Sequence, residues 1–216
     1  MTAKSADGVA LALSESMPSL EPEARRLALT LVRLLAEGEP VTTAAFAEAA
    51  GIDQGLVEEL VDSVPGLDRD DRGRVISFLG LSLTETPHRL EVGGATLYAW
   101  CAWDALFLPR LIARTARVRS PCRQTGEMVA LTVSPNAFEQ LSPANALVSM
   151  LVPEHGFGYD VLESFCHYVH FFTGHVAGER WLAQRESDDA FLLSVAEAFR
   201  LGRLWTRHLI GEGEDG

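Results

Sequence analysis

Leu90-Glu91-Val92-Gly93-Gly94-Ala95-Thr96-Leu97-Tyr98-Ala99-Trp100-Cys101-Ala102-Trp103-Asp104 is the stretch on which the fold turns. Two apolar runs flank Gly93-Gly94, a pair that readily supplies the positive φ angles of a tight hairpin turn. The second run leads straight into Cys101. From Asp104 to Ala113 the pattern becomes helical, although Pro109 has no N–H to donate, so a kink or a restart is expected there.

Working upstream, Val75 to Leu83 reads as one strand, preceded by the polar turn Asp68 to Gly73. Before it the spacing predicts three helices. The first, over residues 20–37, places Leu27, Leu31, Leu34 and Leu35 on one face, with Pro22 in its first turn and Gly38 past its end. Thr42 or Thr43 caps a second helix that carries Phe46 and stops at Gly51. Asp53 caps a third that carries Leu56, Val57, Leu60 and Val61 before Pro65-Gly66. Three helices followed by strands suggest a winged-helix-like region over residues 1–83. Downstream, strands are expected at Met128 to Val133, Ala146 to Val152 and Phe165 to Phe172. A final helix is expected from about Asp189 to His208, carrying Phe191, Val195, Phe199 and Trp205. These belong to a core over residues 84–210, and the acidic, glycine-rich tail 211–216 is expected to fray.

The 216 residues can supply a small domain of about 80 residues joined to a larger one. With 47% apolar and 22% charged residues the chain is in the globular class. No run approaches the roughly 18 to 20 apolar residues of a membrane span, and Met1 to Asp7 lacks the apolar segment of a secretory signal, so the cytoplasm is expected. The net charge of -12 argues against nucleic acid as a partner. Residues 1–90 hold 8 Lys and Arg against 15 Asp and Glu, and the third helix carries Asp53, Glu58, Glu59 and Asp62 with no basic residue. The expected role of the helical region is therefore packing or covering, rather than DNA reading.

Three cysteines with no CxxC do not suit a disulfide framework and are left for metal or nucleophilic work. Cys101 and Asp104, three apart at a helix start, would share a face, and the helix N-terminus would lower the thiol pKa. Alone, the pair is a weak signal and reads better as a buried cysteine acting as a small hydrophobe beside an aspartate that caps a helix. In a strand, Cys166, Tyr168, His170 and Phe172 would share one face and His167 would take the other. A zinc site from Cys166, His170 and a distant cysteine lacks the usual short-spaced ligand pairs, so His167 and His170 read as structural. Cys122, in a turn-rich loop near Arg119 and Arg123, reads as a structural thiol.

Taken together, Leu97 to Asp104, Thr125 to Pro135 and Ser164 to Phe172 resemble the organomercurial (alkylmercury) lyase family in order and spacing, and Arg114-Thr115-Ala116 and Glu197-Ala198-Phe199 fit as well. The resemblance spans roughly residues 20–208. It implies a winged-helix-like region followed by an α+β core of small antiparallel sheets, with Cys101, Asp104 and Cys166 as the active site and Cys122 structural. Two departures stand out: His167 follows Cys166 where some members carry a second cysteine, and Trp103 stands where an aliphatic residue is expected.

Such a site has a chemical rationale. Mercury is a soft cation and thiolate the soft ligand that a protein can offer. Two thiolates on R–Hg push electron density onto the carbon, which then needs an acid, and Asp104 is placed to be one. An aspartate of pKa about 3.9 cannot deprotonate a thiol of about 8.5 in water, a gap of roughly 6 kcal/mol. Coordination expels the thiol proton, and a carboxylate raised by an apolar pocket can accept it and pass it to carbon. Trp100, Trp103, Phe107 and Phe172 are the candidate walls of that pocket. No organic cofactor or resident metal is needed, and low-molecular thiols or, by resemblance, a mercuric reductase would remove the Hg(II). The rivals are a non-enzymatic thiolate protein sequestering Hg(II) or Cu(I), and a metal-sensing winged-helix regulator.

Overall fold

A computed structural model describes residues 20–64, 66–151, 161–185 and 190–210. The described residues begin with three helices, α1 (Pro22–Leu35), α2 (Thr43–Ala50) and α3 (Gln54–Ser63). Their ends follow the expected chemistry. Pro22 occupies the first turn of α1, where a missing N–H costs nothing. The Thr42 hydroxyl accepts the Ala45 N–H to cap α2, the Asp53 carboxylate accepts the Gly55 N–H to cap α3, and Gly51 closes α2 in the left-handed region.

The strands are β1 (Asp68–Arg69), β2 (Val75–Phe78), β3 (Leu81–Ser82), β4 (His88–Val92) and β5 (Ala95–Ala99). After α4 (Asp104–Leu111) come β6 (Ala116–Pro121), β7 (Met128–Val133), β8 (Phe138–Ser142) and β9 (Leu147–Leu151). Then follow α5 (Val161–Ser164), a 3-10 turn at Cys166–Tyr168, β10 (Phe171–Phe172), α6 (His175–Leu182), β11 (Ala190–Ser194) and α7 (Val195–Ile210). Among the described residues these strands form two antiparallel sheets: an eight-stranded one ordered β1-β2-β3-β5-β4-β6-β7-β8, and a three-stranded one ordered β10-β9-β11. The larger sheet runs on from the helical region, because Leu81 pairs with Ala99 and Ser82 with Tyr98. One continuous core joins Leu35, Phe46 and Val57 of the helices to Leu81, Leu97, Leu106 and Met150.

Four expectations change. Val75 to Leu83 is a hairpin, because Leu79 (φ 52) and Gly80 (φ 88) both take the positive angles of a two-residue turn. Phe165 to Phe172 is strand only at its end. The helix expected from Asp189 starts at Val195 instead, after β11; Asp189 itself lies outside the described residues, as do Val152 and the tail 211–216. A capping box sets that start: Glu197 accepts the Ser194 N–H at 2.8 Å, and the Ser194 hydroxyl accepts the Glu197 N–H at 3.2 Å. Finally, α4 runs through Pro109 without a restart, and the Ile112 N–H reaches the Leu108 carbonyl beyond it.

Candidate active site

Three segments converge on one buried point. Cys101 lies just past β5 and Asp104 opens α4, so the short bend between them lets the carboxylate fold back. Its Oδ2 accepts the Cys101 N–H at 2.9 Å. The Ala102 N–H donates to the Val169 carbonyl at 3.2 Å, which ties this bend to the 3-10 turn bearing Cys166. That turn is pinned in its own right by Ser149 of β9, whose hydroxyl donates to the Tyr168 carbonyl at 2.8 Å and accepts the His170 N–H at 2.9 Å. Cys166 Sγ thereby comes to 3.9 Å from Asp104 Oδ2. The ligand atoms of Cys101, Asp104 and Cys166 all lie within 4.8 Å of one another, and all three residues are buried.

A third segment was not foreseen. The β2–β3 turn presses Gly80 onto the acid: a Cβ there would meet Asp104 Cγ and Oδ1 at 2.9 Å. The signal was present in the sequence, as a glycine interrupting an apolar run. Ser149 gave no such signal.

Burial sets the electrostatics. Desolvation raises the Asp104 carboxyl to about 7, against the hydrogen bonds from Cys101 and Cys166, which favour its ionised form. Cys101 is pushed well above the ordinary thiol range by burial and by the neighbouring thiol and carboxylate. The lowering expected from the helix N-terminus is therefore overruled, since burial strips the thiolate of its hydration. Cys166 is held down by a hydrogen bond from Cys101, but burial and Asp104 still leave it raised.

A cavity of about 410 Å³ reaches this cluster from one side and touches Cys166 but neither Cys101 nor Asp104. Of the expected walls, only Trp100 lines it, fixed by its indole N–H on Ser77 Oγ at 2.7 Å. Trp103 points away: its N–H donates to the Ala198 carbonyl at 3.0 Å, and its ring packs on Phe107, Phe165 and Trp205 between α4 and α7. The bulk of this side chain therefore sits behind the site. Phe172 is buried in a separate cluster against Trp181.

The remaining candidates stand apart. Among the described residues, the converging set of ligand side chains excludes His167, His170 and Cys122, although all three line the cavity. Burial pushes His170 down to about 3 and His88 to about 4, so both are neutral. Cys122 is buried at the end of β6; desolvation raises its thiol, but hydrogen bonds from the Thr125 hydroxyl and from the backbone N–H groups of Thr173, Thr125 and Gln124 outweigh that.

Residues 81–207 match the family model described as alkylmercury lyase, and residues 9–79 match the helix-turn-helix domain of alkylmercury lyase. The chain is 41% identical to the alkylmercury lyase of Staphylococcus epidermidis over 173 residues, covering 80% of this chain and 78% of that protein. It is 40% identical to that of Pseudomonas putida over 188 residues, covering 87% and 86%. To that of Streptomyces lividans it is 41% identical over 180 residues, covering 83% and 81%. Its fold matches the mercury-bound form of MerB2 with a TM-score of 0.76 at 20% identity, covering 93% of this chain and 98% of that one. With matches over both its helical region and its core, the chain belongs to the alkylmercury lyase family.

Proposed function

We propose that this enzyme cleaves the carbon–mercury bond of organomercury compounds with Cys101 and Cys166 as the mercury ligands and Asp104 as the proton carrier. The observation that carries this assignment is the buried convergence of two thiols and one carboxyl within 4.8 Å. Cys166 faces the cavity while Cys101 lies deeper, so Cys166 meets R–Hg first. Its hydrogen bond from Cys101 also makes it the easier thiol to ionise. As the second sulfur coordinates, its proton passes to Asp104, whose pKa near 7 lets it hold that proton and then release it to carbon. The products are R–H and Hg(II) held by two thiolates. One thiol proton ends on carbon and the other leaves with the ligand that mercury brought in.

The three side chains supply both the metal grip and the acid, so no organic cofactor is required. Bis-thiolate mercury needs an acceptor to leave, which assigns low-molecular thiols, or a mercuric reductase, as partners. Among the described residues no helix is long and apolar enough to cross a membrane. Reduced thiols suit the cytoplasm. The helical region, residues 1–83, is proposed to cover the core at 84–210 through the β2–β3 turn, and its acidic α3 argues against a DNA role.

The test is hydrocarbon release. Purified protein with phenyl- or methylmercury and excess thiol should give benzene or methane over many turnovers. Cys166→Ala and Asp104→Ala should both stop release, while Asp104→Ala keeps mercury binding. Tight binding without hydrocarbon in the wild type would instead favour sequestration.

A further inference from the structure

The cavity beside Cys166 contains a charge that the cleavage step does not use. Arg123 follows the buried Cys122 at the end of β6 and is exposed; its backbone N–H donates to the Phe171 carbonyl at 3.0 Å, which fixes where the side chain starts. Its guanidinium makes no ion pair among the described residues. It lines the same cavity as Cys166, and among the described lining residues the acid there is Glu163 of α5. Among the described residues that line this cavity, which include His88, His167 and His170, Arg123 is the side chain that carries a permanent positive charge.

The acceptor thiol has the same constraint as the substrate: its sulfur must reach mercury, and the side of the cluster open to the cavity is that of Cys166. A volume of about 410 Å³ suits a small organic thiol. A chain of net charge -12 repels anions in general, so an anionic thiol gains most from a cation close to the point of transfer. We infer that this cavity docks the low-molecular thiol that removes Hg(II), and that Arg123 selects thiols bearing a carboxylate.

The inference rests on the lyase reading above. In the exchange, the incoming R′S–H forms an S–Hg bond, the Hg–S bond to Cys166 breaks, and the R′S–H proton ends on the Cys166 sulfur. A second R′S–H does the same at Cys101, giving R′S–Hg–SR′ and two protein thiols. No atom changes oxidation state.

The experiment loads the protein with Hg(II) and mixes it rapidly with 3-mercaptopropionate, 2-mercaptoethanol or cysteamine, following loss of the thiolate–mercury absorbance. The measured quantity is the ratio of the rate with the carboxylate thiol to that with the neutral one. Intrinsic differences between the thiols then cancel when proteins are compared. Arg123→Gln is expected to lower the ratio about fivefold, the size of one solvent-exposed charge-assisted contact. Arg123→Glu should lower it further and favour cysteamine, and Arg123→Lys should keep most of it, which separates charge from folding. Equal ratios in all four proteins would overturn the inference. Hydrocarbon release by the wild type in a single turnover is scored separately: its absence would sink the lyase reading, whereas its presence with equal ratios would sink the thiol selection alone.

Discussion

Replacing Asp104 with Asn separates what the carboxyl does for the reaction from what it costs the fold. Burial moves its pKa from 3.8 to about 7. Between those values the unfolded chain has lost the proton and the folded one has kept it, so stability is fully present below pH 3.8 and is lost as pH rises through 7. A shift of about 3 units corresponds to roughly 4 kcal/mol. Asn keeps the shape, can still accept the Cys101 N–H through its amide oxygen, and never ionises. The stability of Asp104→Asn relative to wild type should therefore rise by about 4 kcal/mol between pH 4 and pH 8. Urea unfolding of both proteins across that range measures it, and slopes shared by both, such as those from His88 and His170, cancel in the difference. Hydrocarbon release should stop in the same variant while mercury binding persists. A stability difference that stays flat with pH would refute the argument that burial raises this carboxyl.

Trp103→Leu should cost about 2 to 4 kcal/mol, from lost ring contacts and the lost N–H bond to Ala198, yet keep hydrocarbon release per folded molecule because the ring lies outside the cavity; denaturation and turnover assays check the two halves. Gly80→Ala places a Cβ 2.9 Å from the Asp104 carboxyl at a φ of 88°, so it should slow hydrocarbon release more than it weakens methylmercury binding. Single-turnover kinetics beside a binding titration will show whether release and binding separate. His88 has its folded pKa depressed to about 4 from 6.5, so its contribution is present above pH 6.5 and lost as pH falls through 4. His88→Gln should remove about 3 kcal/mol of acid sensitivity between pH 7 and pH 4, read from unfolding at both pH values.

Much of this protein could be read from the order of its residues, because the signals are local. The Thr42 and Asp53 caps, the left-handed Gly51 and the spacing of Leu27, Leu31 and Leu35 act within a turn or two of backbone, and each stands where the pattern put it. The grouping of Cys101, Asp104 and Cys166 was legible only through resemblance, since two of them are 62 residues apart and no spacing rule joins them. The Ser194-to-Glu197 capping box and the glycine at 80 were also local signals, but the longer apolar periodicity around each masked them. Tertiary structure decided the rest. Cys166 sits in a 3-10 turn because Ser149, on a strand distant in sequence, takes up the polar backbone groups there. Trp103 turns away from the cavity into the core because α7 offers it a carbonyl and a ring. The helix start beneath Cys101 would favour a thiolate, but full desolvation disfavours one more strongly, and desolvation is set by every segment that packs over the site.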